Sequence, residues 1–417
     1  HFTNRVRFER LKIIENIKMG KKWLCNATDF QSLMYPCFTW SRILGLFPYK
    51  LNASTFEFSK LYYILSTVVI CVCCVINFAL IDSIIKSKIN YGDVVRNIYV
   101  VIYYIFINFI ITITHFLSGS RMRLLQTILE VSSKLPSKSY QKLSRLIHVK
   151  DILGNIIRVV QLSINLYKIL KYKDNFFVIL IMISTVYSAL LVLQIVMLYI
   201  NCVCVLKACF KRINDNLVHM QKFVINDMKL CVSNVIWHTQ KNQFLVTELR
   251  ILKKQHLMIC DAVQMLNMIF SLPLLAIIVM SFFAVTFMLY FYAIRWQNGV
   301  FIGLDWHFLD VFLTSLIYNI FTIILIVWVC EMNKNQAQEI STTIHDLHNS
   351  TNDEKIKYEL QLFSLQILHC KNTFLVKGLA IDATLLAAIA GNITTYLLIL
   401  IQFLNMSCDR KAAVNVT

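Results

Sequence analysis

Thr395-Tyr396-Leu397-Leu398-Ile399-Leu400-Ile401-Gln402-Phe403 lies inside an uncharged stretch from Ala383 to Cys408, long enough to cross a bilayer as a helix. One glutamine falls deep in its far half. An amide without a partner in hydrocarbon costs several kcal/mol, roughly 4–8 on the alkane scale. Polar groups at that depth therefore face protein or a water-filled path. On a helix Tyr396, Ile399, Gln402 and Phe403 share one face by their three- and four-residue spacing. A polar residue beside an aromatic on a last membrane helix suits the wall of a narrow pore.

The rest of the chain agrees with a membrane setting. Hydrophobic residues make up 57% of it and the mean hydropathy is +0.61, far above a soluble domain. Seven spans are predicted: Leu61–Ile81, Ile98–Leu117, Ile152–Leu170, Phe176–Leu206, Met265–Ile294, Val311–Cys330 and Ala383–Leu404. The fourth and fifth exceed what ~30 Å of hydrocarbon needs and are expected to continue as helices outside it. Residues 1–22 are basic and polar, without a cleavable-signal pattern. The chain opens at His1, and part of the native N-terminus is expected to be missing from it.

A net charge of +18 would suit nucleic acid, but its placement points elsewhere. The N-terminal 60 residues hold 10 Lys and Arg, and the loops after spans two, four and six hold 7, 9 and 5. The alternate segments hold 3, 2, 1 and 2. By the positive-inside rule the N-terminus is cytoplasmic, and seven spans leave the C-terminus extracellular. The expectation is an all-α, seven-transmembrane protein that meets the bilayer and no nucleic acid. The 13 cysteines lie in or at spans or on the reducing side, apart from Cys408, and read as small packing residues.

Residues 1–60 are expected to form a cytosolic N-terminal segment with a membrane-surface helix around Phe8–Ile17, and residues 61–417 the membrane domain. Helical cytosolic extensions are predicted over about 207–264 and 331–377. Phe210, Ile213, Leu217, Met220 and Val224 form one apolar stripe there, and Leu360, Phe363, Ile367, Cys370 and Phe374 a second. The outer loops are short, so an external ligand must enter between the helices. Pro273 is expected to kink the fifth span.

With this topology and the Thr-Tyr, five apolar residues, Gln-Phe pattern at 395–403, the chain resembles the insect gustatory receptors. Ser41-Arg42-Ile43-Leu44-Gly45-Leu46-Phe47-Pro48-Tyr49 is also similar to the family's N-terminal stretch. The resemblance implies a tastant-gated, non-selective cation channel in the plasma membrane of a chemosensory neuron. It implies a tetramer, homomeric or shared with other gustatory receptors, with the seventh helices around one pore. Tyr396, Ile399, Gln402 and Phe403 would then belong to the pore and gate, where apolar constrictions close by dewetting. The sweet-taste branch usually has glutamate after the motif tyrosine, and this chain has Leu397. A bitter or other aversive compound, or a fructose-type sugar, is therefore the expected ligand.

Several spans carry polar stripes that must turn away from lipid. Tyr104, Asn108, Thr112 and His115 share a face of the second span, with Tyr103 beside it. Gly154, Arg158, Gln161, Asn165 and Lys168 line one side of the third, and Asp310, Thr314, Tyr318 and Thr322 one side of the sixth. Tyr103, Tyr104, Asn108, Gln161, Asn165, Thr314 and Tyr318 fall toward the outer half and form the expected tastant pocket, aromatic walls with a few amides and hydroxyls. Such polar residues can also simply satisfy one another between helices. Arg158 is expected to reach the inner surface or to pair with an acid such as Asp382.

Other classes fare worse. A G-protein-coupled receptor conflicts with the inverted charge bias, with the missing acidic-Arg-Tyr motif after span three and with the lack of an outer cysteine pair. A secondary transporter would show repeats or broken helices. For an enzyme, no His/Asp/Glu constellation meets on one helix face, and His345 with His348 lacks further metal-ligand spacing. Neither cofactor nor metal is expected.

Overall fold

Asp29 starts the first helix, α1 (Phe30–Ile43), by a reciprocal cap. Its carboxylate accepts from the Ser32 amide at 2.7 Å, and the Ser32 hydroxyl accepts from the Asp29 amide at 3.2 Å. The computed structural model describes residues 27–52, 55–87, 94–170, 176–229, 235–297, 306–370 and 372–414. After α1, Gly45 turns the chain at φ +73°, where an L side chain would be strained. A hairpin follows, β1 (Tyr49–Asn52) against β2 (Thr55–Phe58).

This segment is core rather than a solvated surface. Phe30, Leu33, Phe47 and Tyr49 are almost fully buried. The Tyr49 hydroxyl donates to the Ser118 carbonyl, and the buried Arg121 donates to the Leu46 carbonyl at 2.6 Å. The motif at 41–49 thus works as a plug, with Phe38 stacked on Phe47 at 4.6 Å and Gln194 donating to the Ser41 hydroxyl at 2.9 Å. The surface helix expected at Phe8–Ile17 lies outside the described residues.

The remaining elements are α2 (Lys60–Ile85), α3 (Val94–Phe116), α4 (Ser118–Ser132), α5 (Ser137–Leu170), α6 (Phe176–Lys229), α7 (Val235–Gln297), α8 (Trp306–Asn349), α9 (Glu354–His369), a short hairpin of β3 (Leu375–Val376) and β4 (Leu379–Ala380), and α10 (Ala383–Val414). Six described helices, α2, α3, α6, α7, α8 and α10, are long and apolar enough to cross a membrane. The third expected span is the far half of α5, and its polar residues, Arg158 and Gln161 among them, keep its described part below that threshold. Helix is the form such runs take, because lipid offers backbone groups no partner. α7 continues through Pro273 as one helix.

α6 is the axis of the bundle: 94% of its apolar window is buried, against 6% for α10. α8, α5 and α7 pack around α6, and α10 lies against α7 and α8. Beyond the apolar runs, α6, α7 and α8 extend into a second bundle completed by α9. There Phe210, Ile213, Leu217, Leu360 and Phe363 are buried. Asp353 caps α9 and accepts from Asn242 at 2.7 Å. The buried Glu359 accepts from Arg250 at 2.7 Å and from Lys253 at 2.9 Å, locking α9 to α7.

Candidate ligand pocket and pore helix

α3 divides the expected pocket in two, because adjacent residues on a helix point about 100° apart. Tyr104 and Asn108 turn toward α2 and α6. The Tyr104 hydroxyl and Thr185 share a hydrogen bond at 2.7 Å, and Asn108 accepts from Asn77 at 2.8 Å, with Ser184 donating to Asn77 at 2.8 Å. These two residues join helices. Tyr103 instead points toward α5 and α8, within electrostatic reach of Arg158.

Arg158 is the centre of that second group. It is 7% exposed, and its guanidinium lies over the Tyr318 ring of α8 at 4.1 Å. One of its terminal nitrogens donates to Gln161, which in turn donates to Ser315 at 3.2 Å. Among the described residues the Arg158 Nε has no hydrogen-bond partner and no carboxylate pairs with this arginine. The expected pairing with Asp382 is corrected: Asp382 caps α10 through Thr384 and is 3.9 Å from Lys334. Thr314 is half-buried one turn before Tyr318. Asn165 lies on α5 beyond Gln161, its side chain outside the described residues.

The structure therefore gathers Tyr103, Gln161 and Tyr318 around an arginine absent from the expected set. Arg158 shares the polar stripe with Gln161, so the signal was present, but helix rotation could not be read from spacing. Tyr99 and Phe287 extend the aromatic wall, with ring centroids 5.4 Å apart. From there rings continue through Phe283 (6.3 Å from Phe287) and Phe282 (5.7 Å from Phe283) to Tyr396 of α10 (5.9 Å from Phe282).

α10 carries the four expected pore residues. Tyr396 is half-exposed, Ile399 is 39% exposed and Gln402 is exposed; the Phe403 side chain lies outside the described residues. Asn392, Thr394 and Thr395 bond only to carbonyls of their own helix, on surfaces the chain leaves open. Asn392, Thr395, Ile399 and Gln402 follow the same three–four spacing, so one uncovered stripe is largely polar.

The family model described as 7tm Chemosensory receptor matches residues 34–406. The chain belongs to that family. This chemosensory receptor is 33% identical over 159 residues to gustatory receptor 28b of Drosophila melanogaster, covering 36% of this chain and 33% of the relative. It is 34% identical over 151 residues to gustatory receptor 28a of the same species, covering 36% of this chain and 34% of the relative. The match spans about a third of each curated relative. Among solved structures, the receptor is similar to the insect olfactory receptor OR5 from Machilis hrabei, with a TM-score of 0.69 at 12% identity over 89% of this chain and 97% of that one. OR5 in complex with eugenol gives a TM-score of 0.68 at 12% identity, with the same coverage. That likeness establishes a shared seven-helix fold. Groups of three or more metal-ligating side chains are absent among the described residues of the receptor.

Proposed function

We propose that this receptor is a tastant-gated, non-selective cation channel assembled as a tetramer, with four copies of α10 around a central pore. The observation that carries this reading is the packing of α10. An apolar helix that is 6% buried in its own chain, and whose open side bears Asn392, Thr395 and Gln402, lacks a place in lipid for those polar groups. Symmetric assembly turns the stripe toward an aqueous axis and leaves the apolar sides to protein and lipid. The orientation follows from the charge count, with the N-terminus inside and the C-terminus outside.

The ligand site in this reading is the group around Arg158, formed by Tyr103, Gln161 and Tyr318, with Asn165 and Thr314 beside it. Its unbonded Nε and flanking rings suit a small molecule that offers an acceptor oxygen and a flat or apolar body. A bitter or aversive compound, or a fructose-type sugar, meets that description. Eugenol, the ligand of the OR5 complex, is also a small aromatic oxygen compound, which supports a ligand of this size. The receptor would act in the plasma membrane of a chemosensory neuron, alone or with other gustatory receptors.

Whole-cell recording from cells that express only this chain, under a panel of sugars and alkaloids, tests the proposal. A ligand-evoked cation current within milliseconds supports it. Responses that appear only when G-protein signalling is intact would replace it with the metabotropic alternative.

A further inference from the structure

A cavity of about 390 Å³ opens where α5, α6 and α8 leave their apolar runs, and Lys142, Lys207, Lys211 and Arg212 line it against a single acid, Asp215. Lys207 directly follows the apolar run Phe176–Leu206, which places the cavity at the cytoplasmic face in the orientation adopted above. Among the described residues none of these four cations forms an ion pair; the Lys207 ammonium donates to the Met332 sulfur at 3.5 Å, and Glu339 lies within electrostatic reach of it. Four cations around one concavity repel one another unless an anion joins them.

The mouth of the cavity continues into two apolar tracks. On α5, Leu146, a lining residue, is followed by exposed Val149, Leu153, Ile156 and Val160 at three–four spacing. On α8, Trp328, also in the lining, follows exposed Ile317, Ile320 and Ile324. α5 and α8 are neighbours, and each offers an exposed apolar track that starts at the cavity lining. A soluble anion would have no use for such tracks.

We infer that this cavity is a binding site for an anionic phospholipid of the cytoplasmic leaflet, its phosphorylated headgroup held by Lys142, Lys207, Lys211 and Arg212 and its acyl chains lying between α5 and α8. Trp328 marks the boundary between the two parts, as interfacial tryptophans do. The headgroup ties α5, which carries Arg158, to the cytosolic ends of α6 and α8, so its occupancy biases how these helices sit together. The lipid-binding claim depends on the orientation but not on channel activity.

The test uses the purified full-length receptor in a neutral detergent and follows its melting temperature during titration with three probes: dioctanoyl phosphatidylinositol 4,5-bisphosphate, dioctanoyl phosphatidylcholine and inositol 1,4,5-trisphosphate. The bisphosphate lipid is expected to stabilise the receptor saturably, the choline lipid to have no effect, and the free headgroup to bind at least tenfold more weakly. Each cation removed costs about fivefold. Lys207→Gln with Lys211→Gln is thus expected to weaken lipid binding at least tenfold, Lys142→Gln about fivefold, and Lys211→Arg to retain it. Lys355→Gln with Lys357→Gln on α9 should leave it unchanged. Equal binding of both lipids, equal binding of the free headgroup, or unchanged affinity in Lys142→Gln and in the double variant would each overturn the assignment. The Lys142 side chain is exposed, so its variant keeps the test decisive if the double variant does not fold.

Discussion

Tyr396 of α10 meets Phe282 of α7 edge to face, with ring centroids 5.9 Å apart and planes inclined at 78°. It is the last link in a series of rings that begins at Tyr103, whose ring lies 6.5 Å from that of Tyr99, so the helix proposed to line the pore touches the aromatic wall of the proposed ligand site through one pair. Such pairs contribute about 0.5–1.5 kcal/mol beyond the area they bury. Phe282→Ala is therefore expected to change the ratio of closed to open channels about two- to twelvefold. Patch-clamp measurement of basal current and half-maximal ligand concentration, normalised to surface protein, reads this change. Unchanged values for both would remove the pair from gating.

Arg158 is the second site of prediction. Arg158→Lys keeps the charge but loses the planar face that lies over Tyr318 and the fork that reaches Gln161. The half-maximal ligand concentration should rise at least tenfold, with surface abundance near wild type. Calcium imaging over a full concentration series checks this. A variant with normal sensitivity would place the ligand elsewhere in the bundle.

Glu359 governs stability rather than sensing. Burial on its own would push this carboxyl up, but bonds from Lys253 and Arg250 outweigh it and hold the group below the ordinary range. With the folded value depressed, the stabilisation is complete above the unfolded value of about 4.3 and disappears as pH falls through the lower folded one. Glu359→Gln is expected to cost about 1–3 kcal/mol at neutral pH. Thermal melts of the solubilised protein should show a clear loss at pH 7 that narrows below about pH 4. A loss independent of pH would mean that packing, and not charge, holds α9.

Orientation makes its own prediction. An epitope fused after Thr417 should be stained by antibody on intact cells, and one fused before His1 only after permeabilisation. The reverse pattern would invert the bundle and move the basic cavity to the outer face.

The membrane helices were legible because runs such as Leu61–Ile81 and Ala383–Leu404 are long, apolar and uninterrupted, and lipid leaves a backbone little choice. The buried positions Phe210, Ile213, Leu217, Leu360 and Phe363 were legible because burial on one face imposes its period on the sequence. The helix expected to run on through Phe374 to about 377 instead ends at His369, and Phe374 precedes the β3–β4 hairpin. The burial of Phe47 and Tyr49 was not, since the basic residues that precede them describe only the surface of their segment. The arrangement of the proposed pocket was half-legible. Spacing places Tyr103 and Tyr104 on neighbouring faces, but only packing decides that Tyr104 bonds to Thr185 while Tyr103 turns to Arg158. Arg158 drew the wrong partner for a related reason: one stripe names a face, not the helix opposite it.

The reversal potential of the ligand-evoked current under bi-ionic conditions, compared between the wild-type receptor and Gln402→Ala, tests the pore assignment most directly. Phe403→Ala, one residue on, serves as the companion variant. If α10 lines the pore, Gln402→Ala shifts the relative permeability of monovalent and divalent cations, and at least one of the two variants changes block or basal current. Ligand-evoked currents with unaltered reversal potential, block and basal level in both variants would contradict a pore lined by α10.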